Sequence, residues 1–575
     1  MARASRVGLW AGAATCEIAV PQTDLCLMGW GVPTNVGRSK GTALCARALV
    51  LGTLGSIAFV YVCLDLCFIS TEVRERVFVA LQRRGLACAS ERLLLTATHT
   101  HSSLGGYTRD VFYASSGPGF SEANTTAIVE AVAGSVHAAH GRLRAASAYV
   151  HQGPLAAPSP VAFNRSLAAY NRNHDVRPLG ASERHEAVPD HLTVLRVDAR
   201  ETGTPMAIVS WFGLHGTCVH ADQNVFHADH PGATADHVER EASRRGWADV
   251  VAIASQSVCG DVTPNHRFDA ARRCRVGASE DDFAAAKRIG RLVGARVLEL
   301  AEVAREDGVE LSGNVQCSLT WIDPVGAPVS PEFAYGRRDA TTDPPTLGLA
   351  FAFGTAEGPG PARPARWLQQ RFRRVVGALP RHFGVGRRWS KLPLWSFGPR
   401  APAKILGFLP AHERFLTHVP NRFLRYIGRE VHEHGLDTPW VPRLLPSQLI
   451  RVGTLVLCAV PFEPTTHAGT RLQRTVRAHA RDTTHIVVCG YANDYASYLC
   501  TDEEYLEQAY EGASTLFGRW TLGAWQTVVK RQTVSMLAAR DSPAPLREQM
   551  SGRVQLRAPS SAQLDAALAR RHASR

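Results

Sequence analysis

From Ala48 to Leu64 seventeen residues run without a charge, close to the length that a membrane-spanning helix needs. Gly52, Gly55 and Ser56 interrupt the run, and its halves, Ala48 to Leu51 and Ile57 to Leu64, are rich in residues that favour strands. The stretch therefore predicts two buried strands joined by a turn, which in turn require a sheet and covering layers. The flanking sequence supplies both. Phe59 to Leu64 is followed by a helical pattern from Ser70 to Arg84 and then by the apolar run Leu93 to Ala97. Leu192 to Val197, Met206 to Trp211, Val250 to Ala254, Leu455 to Val460 and His485 to Cys489 are further strand candidates. The alternation predicts an α/β fold with a mixed, twisted sheet core and flanking helices. Polar or glycine-containing motifs follow nearly all of these strands, and strand ends are where such folds place their chemistry.

The 575 residues are 45% hydrophobic and 20% charged, enough to bury a core and unlike a disordered or fibrous chain. Lys plus Arg exceed Asp plus Glu by 13, which favours a partner of negative charge. The excess is uneven. Between Glu357 and Glu413 there is no acidic residue but there are eleven Lys or Arg. Within that segment Trp367, Leu368, Phe372, Val375, Val376 and Leu379 recur at helical spacing beside Arg366, Arg371, Arg373 and Arg374, the pattern of a basic amphipathic helix. Such an insert, at about residues 360–430, packs on the main domain or meets a membrane. Trp389, Trp395, Phe397 and Phe408 favour peripheral contact with an anionic membrane surface. No nucleic-acid-binding motif accompanies the charge, so nucleic acid is not expected. The thirteen cysteines are an odd set, and Cys63, Cys67, Cys458 and Cys489 sit in apolar runs as small core residues do. Free thiols predict a reduced compartment, the cytoplasm, although Arg3 and Arg6 before the short run Val7 to Ala14 leave secretion open. After Leu522 a terminal helix and a basic tail are expected, giving a main domain at 1–522 and a tail at 523–575.

His99 and His101, one residue apart after an apolar strand, are spaced to face one site, and imidazole suits zinc. Such a pair alone is more often structural. His215, in Trp211-Phe212-Gly213-Leu214-His215-Gly216-Thr217, shares the strand-end placement. The segment Ser257 to Asn265 offers a thiol, a carboxylate and a hydroxyl at Cys259, Asp261 and Thr263, suited to nucleophilic catalysis or simply to a capped turn.

Taken together these motifs resemble the neutral ceramidase family, metal-dependent amidases that cleave the N-acyl chain from sphingoid bases. The family's His-Thr-His-Ser-Gly-Pro-Gly-Gly is similar to His99 through Gly106, with Ser103 and Leu104 in place of Gly-Pro. Its Gly-Asp-Val-Ser-Pro-Asn is similar to Gly260 through Asn265, with Thr263 at the serine. Asn164-Arg165-Ser166, Gly354 through Gly360, Glu463 with Thr465-Thr466, and Asn493 through Thr515 add further matches. The resemblance runs in order from about Gly8 to about Leu522 and makes Gly8 to Thr15 a first strand. It implies a zinc ion bound at strand ends by His99, His215, Glu463 and Tyr498, with Tyr495 the alternative to the last. It also implies a catalytic hydroxyl at Thr263, His101 and Arg165 beside the metal, and the Tyr510 hydroxyl near the scissile carbonyl. The family's C-terminal immunoglobulin-like domain has no counterpart expected here. The implied activity is hydrolysis of ceramide or a related N-acyl lipid. The departures at Ser103, Leu104, Thr263 and Pro464 keep open another N-acyl amine, amide synthesis, or a non-catalytic lipid-binding relative.

Overall fold

The computed structural model describes residues 8–360, 391–397, 404–405, 409–410 and 440–538, except 22, 24, 54–55, 87, 116–118, 280 and 312–313. The uncharged run Ala48 to Leu64 lies in two antiparallel strands, Cys45–Thr53 and Ser56–Leu64. Among the described residues no helix is long and apolar enough to cross a membrane. The expected helix after it is Thr71–Arg83, whose N-terminus is capped by the Ser70 side chain accepting the Val73 N–H.

Two sheets form the core. The larger runs in the order Val251–Gln256, Pro205–Phe212, His191–Ala199, Arg144–Pro154, Trp10–Glu17, Cys45–Thr53, Ser56–Leu64, Leu93–Ala97, with Val309–Glu310 added beside Arg144–Pro154. Its outermost pairs at both ends are parallel and the pairs between are antiparallel. The smaller sheet runs Val315–Ile322, Leu445–Val452, Leu455–Ala459, His485–Cys489, the last pair parallel. Leu49, Leu51, Phe59 and Trp211 of the first sheet share one buried apolar cluster with Ile450, Leu455, Leu457 and Val487 of the second, so the sheets pack face to face. Helices Glu122–Gly141, Asp229–Arg244 and Asp282–Glu306 lie over the larger sheet, with Thr71–Arg83 packed against Glu122–Gly141, and Thr466–His479 and Thr521–Ala538 lie over the smaller. The α/β expectation holds, with two sheets sharing the core.

The larger sheet curls strongly, so that its two end strands approach one another. Tyr61 Oη and Ser255 Oγ share a hydrogen bond, Trp211 Nε1 donates to Tyr61 Oη at 3.0 Å, and Gln256 Nε2 donates to the Thr98 carbonyl at 2.9 Å. Strands far apart in the sheet order thereby end at the same place. All thirteen cysteines are free thiols, eleven of them buried. The expected amphipathic helix at 366–379 and the tail beyond 538 lie outside the described residues.

Candidate metal centre and its cleft

Five loops that follow strands converge at this end of the sandwich. His99 follows Leu93–Ala97, His215 follows Pro205–Phe212, and Thr263 lies beyond Val251–Gln256. From the smaller sheet, Glu463 follows Leu455–Ala459 and Tyr491 to Tyr498 follow His485–Cys489. Backbone strain collects here. His99, Tyr491, Asn493 and Ser497 all have φ between 55° and 65°, a left-handed conformation that costs non-glycine residues about 1–3 kcal/mol and is tolerated where the surroundings impose it. Two glycines allow the loops to touch. A Cβ on Gly216 would lie 2.6 Å from the His99 carbonyl oxygen, and one on Gly260 would lie 2.6 Å from that of Glu463.

His99, His215 and Glu463 are buried and aim their polar atoms at one point. Nδ1 of His99 donates to the Cys67 carbonyl at 2.6 Å, and Nδ1 of His215 donates to the Cys259 carbonyl at 2.5 Å. These bonds fix both rings and leave the Nε2 lone pairs facing inward, the arrangement that backbone carbonyls give to metal-ligating histidines. The two Nε2 atoms stand 3.3 Å and 3.2 Å from Glu463 Oε2, and His215 Nε2 makes no hydrogen bond among the described residues. A buried, unbonded ring nitrogen is costly unless something else occupies that lone pair. Tyr495 Oη donates to Glu463 Oε1 and Tyr491 Oη to Oε2 at 3.3 Å, holding the carboxylate in place. The electrostatics agree. Burial alone would lower His99, but the Glu463 carboxylate outweighs it and pushes the imidazole up to about 10. Burial keeps His215 below its ordinary value, and Glu463, despite its own burial, is held well below the carboxylate range by His99. One carboxylate thus faces two imidazoles, and a divalent cation held between them would match its charge. Two imidazoles and a carboxylate are a donor set that zinc accepts.

His101 Nε2 lies 3.1 Å from His99 Nε2, and its Nδ1 makes no hydrogen bond among the described residues. Burial, with His99 and His215 nearby, pushes it well below the ordinary histidine value, so it is a neutral base. Tyr498, paired across a two-residue ladder with Glu463, accepts a hydrogen bond on its Oη from Arg165 Nη2 at 2.9 Å. The Tyr498 hydroxyl is therefore oriented by Arg165, whereas that of Tyr495 is committed to Glu463. Arg165 also bonds Glu357 Oε1 at 2.6 Å, Glu511 Oε1 at 2.9 Å and the Gly260 carbonyl at 2.8 Å. Thr263 Oγ1 donates to Glu357 Oε2 and accepts the Asn265 N–H at 2.9 Å.

A cleft opens onto this centre, its walls made largely of aromatic side chains: Trp30, Phe68, Phe112, Tyr113, Phe351 and Tyr510. His99, His101, Glu463 and Tyr498 also line it. His215, Thr263 and Arg165 stand behind that lining, joined to it through Glu463, Glu357 and Tyr498. Trp30 packs edge-on against His101 at 5.1 Å and stacks on His220 at 5.3 Å. Sequence reasoning assigned no role to Glu357, Glu511, Tyr491 or Trp30. Glu357 and Glu511 fall within matched stretches, but no spacing distinguishes them from surface acids.

The neutral/alkaline non-lysosomal ceramidase N-terminal family matches residues 10–527. The chain is 28% identical over 572 residues to neutral ceramidase A of Dictyostelium discoideum, covering 94% of this chain and 74% of that protein. It is 30% identical to the neutral ceramidase of Pseudomonas aeruginosa, with 85% and 66% covered, and 29% identical to that of Mycobacterium tuberculosis, with 93% and 79% covered. The crystal structure of the Pseudomonas aeruginosa neutral ceramidase superposes with a TM-score of 0.73 at 26% identity, covering 93% of this chain and 75% of that one. A structure of a ceramidase complexed with C2 superposes equally well, at 27% identity, covering 93% and 76%.

Proposed function

The chain belongs to the neutral/alkaline non-lysosomal ceramidase family, and from that premise we propose that it is a zinc-dependent amidase cleaving the N-acyl bond of ceramide or a related N-acyl lipid to a fatty acid and an amine. As a member of the family it is a hydrolase acting on linear amide C–N bonds. The observation that carries the zinc reading is the convergence of His99 Nε2, His215 Nε2 and Glu463 Oε2 beside an aromatic-walled cleft. The fourth ligand in this reading is Tyr498. When bound there, zinc supplies Lewis-acid polarisation of the carbonyl and lowers the pKa of an attacking hydroxyl or water.

The chain's own residues do the rest. The aromatic walls take an acyl chain by burying apolar surface, at about 25 cal/mol per Å². His101, neutral and lining the cleft, accepts a proton from the attacking group and returns it to the departing amine. Thr263 presents a hydroxyl whose proton already points at Glu357, either to attack or to orient water. Tyr510, whose ring lies 5.5 Å from that of Tyr498 at the cleft wall, donates its hydroxyl proton to the developing oxyanion. The reading also takes residues 360–430, most of which lie outside the described residues, as a peripheral contact with an anionic membrane surface, and the cytoplasm as the working compartment.

A mass-spectrometric screen of N-acyl lipids tests the proposal. Wild type should release fatty acid and amine from ceramide, lose that activity to a chelator and regain it with zinc. His99→Ala should be inactive. Equal release by wild type and His99→Ala would overturn the zinc-centred reading.

A further inference from the structure

We propose that Glu357 and Glu511 are positioning residues of this centre: the two buried carboxylates clamp the Arg165 guanidinium so that it holds the Tyr498 phenolic oxygen toward the metal position, and Glu357 in addition fixes the Thr263 hydroxyl. The inference rests on the amidase reading for its activity arm.

The geometry is that of a charged hub. A guanidinium has five N–H donors in a rigid plane. Four serve partners within the protein, because Nε goes to Glu511, Nη1 to Glu357, and Nη2 to both the Gly260 carbonyl and Tyr498 Oη. The side chains of Arg165, Glu357 and Glu511 are 5%, 2% and 3% exposed, so water does not compete for these bonds. Arg165 thus has one N–H left for a substrate and acts chiefly on its neighbours. With two carboxylates fixing the plane from two sides, the Nη2 that faces Tyr498 has a single orientation.

Glu357 Oε2 gathers three further donors: Thr263 Oγ1, Asn265 Nδ2 at 2.9 Å and Thr217 Oγ1 at 3.1 Å. Thr217 lies two residues beyond His215, and Thr263 and Asn265 come from the loop after Val251–Gln256. One carboxylate therefore ties the His215 loop, the Thr263 loop and Arg165 together. The Thr263 hydroxyl has its proton directed by Glu357 and one lone pair taken by the Asn265 N–H, leaving one rotamer. Stability is a poor reason for such a hub, since buried ion triads are often no better than apolar packing of the same volume. Its bonds end instead on Thr263, Tyr498 and the loop that carries His215.

The experiment uses Glu357→Gln, Glu357→Asp and Glu511→Gln in the full chain, with Glu332→Gln as a surface control. Zinc affinity is measured by competition with a chromophoric chelator, and Tyr498 ionisation by the near-ultraviolet tyrosinate difference signal on zinc addition as a function of pH. Activity is read as kcat and KM on a short-chain ceramide. Both Gln variants should bind zinc about 10- to 100-fold more weakly, form the tyrosinate signal at higher pH, and lose kcat with little change in KM. Glu357→Asp, which keeps the charge, should recover part of the loss. Wild-type zinc affinity and tyrosinate signal in both Gln variants would overturn the proposal. If one Gln variant fails to fold, the other carries the test, and wild-type zinc affinity there counts against the proposal. A wild type that binds zinc but releases no fatty acid sinks the amidase reading alone, because the titration reads Tyr498 without turnover.

Discussion

Gly216→Ala puts a methyl group between two of the loops that form the centre. Its Cβ would stand 2.6 Å from the His99 carbonyl oxygen, 2.9 Å from the His99 carbonyl carbon and 3.0 Å from Thr100 Cα. All three are backbone atoms, so no side chain can swing away, and ordinary contact begins at 3.4 Å. The His99 and His215 loops must separate by 0.4 Å to reach 3.0 Å, the closest approach that a real Cβ shows, and by 0.8 Å to reach ordinary contact at 3.4 Å. Metal–ligand distances tolerate about 0.2 Å, so the two Nε2 atoms no longer share one ion. The Thr100–Gly216 bridge and the His101 N–H bond to the Gly216 carbonyl, 3.1 Å long, are strained as well. Overpacking of this kind costs about 1–3 kcal/mol of stability, and a displacement near 1 Å at reacting groups costs about 100-fold in rate. Zinc competition titration, steady-state kinetics and urea unfolding measure the three effects on one preparation. Gly141→Ala is the control, because its added Cβ meets nothing within 4 Å and should change stability by no more than about 0.5 kcal/mol. If Gly216→Ala binds zinc and turns over as wild type does, the close approach of these loops does not set the site.

Tyr495→Phe removes the hydroxyl that donates to Glu463 Oε1 and should weaken zinc binding about 10-fold, measured by the same titration, with circular dichroism unchanged. Thr263→Ser should turn over at least as fast as wild type, since it keeps the hydroxyl and sheds the methyl. Thr263→Val keeps the branched shape without the hydroxyl and should fall by about 100-fold or more; wild-type kinetics in the valine variant would remove Thr263 from the mechanism. Lys391 donates to the Ala513 and Thr515 carbonyls at 2.8 Å and 2.7 Å, and its burial pushes the ammonium down to about 7 from 10.5. Between those values the unfolded chain holds a proton that the folded chain has released, so stability rises with pH across the window and is lost as pH falls through about 7. Lys391→Met should flatten that slope, as read from unfolding midpoints at about pH 7 and about pH 10; an unchanged slope would refute the assignment.

What the sequence made legible and what it withheld divide along physical lines. Strands such as Leu93–Ala97 and His485–Cys489 coincide with their apolar runs residue for residue, because a strand buried on both faces needs an unbroken apolar stretch. His99 and His215 were visible because a histidine at the end of such a run stands out locally. Glu463 and Tyr498 came only from resemblance, and the structure explains why. They lie in loops that follow strands of the second sheet, and their approach to the histidines depends on two sheets packing face to face and on the curl that joins Tyr61 to Ser255. No periodicity in the chain encodes that curl. The carboxylates around Arg165 were less legible still. Glu357 and Glu511 lie 192 and 346 positions from the arginine they bind, and a buried glutamate reads in sequence like any exposed one. Local pattern thus reports groups whose neighbours along the chain constrain them, whereas groups constrained across space become visible only when the loops that carry them are brought together. In this centre His99 and His215 are of the first kind. The residues that fix how those histidines, Tyr498 and Thr263 work as one unit are of the second.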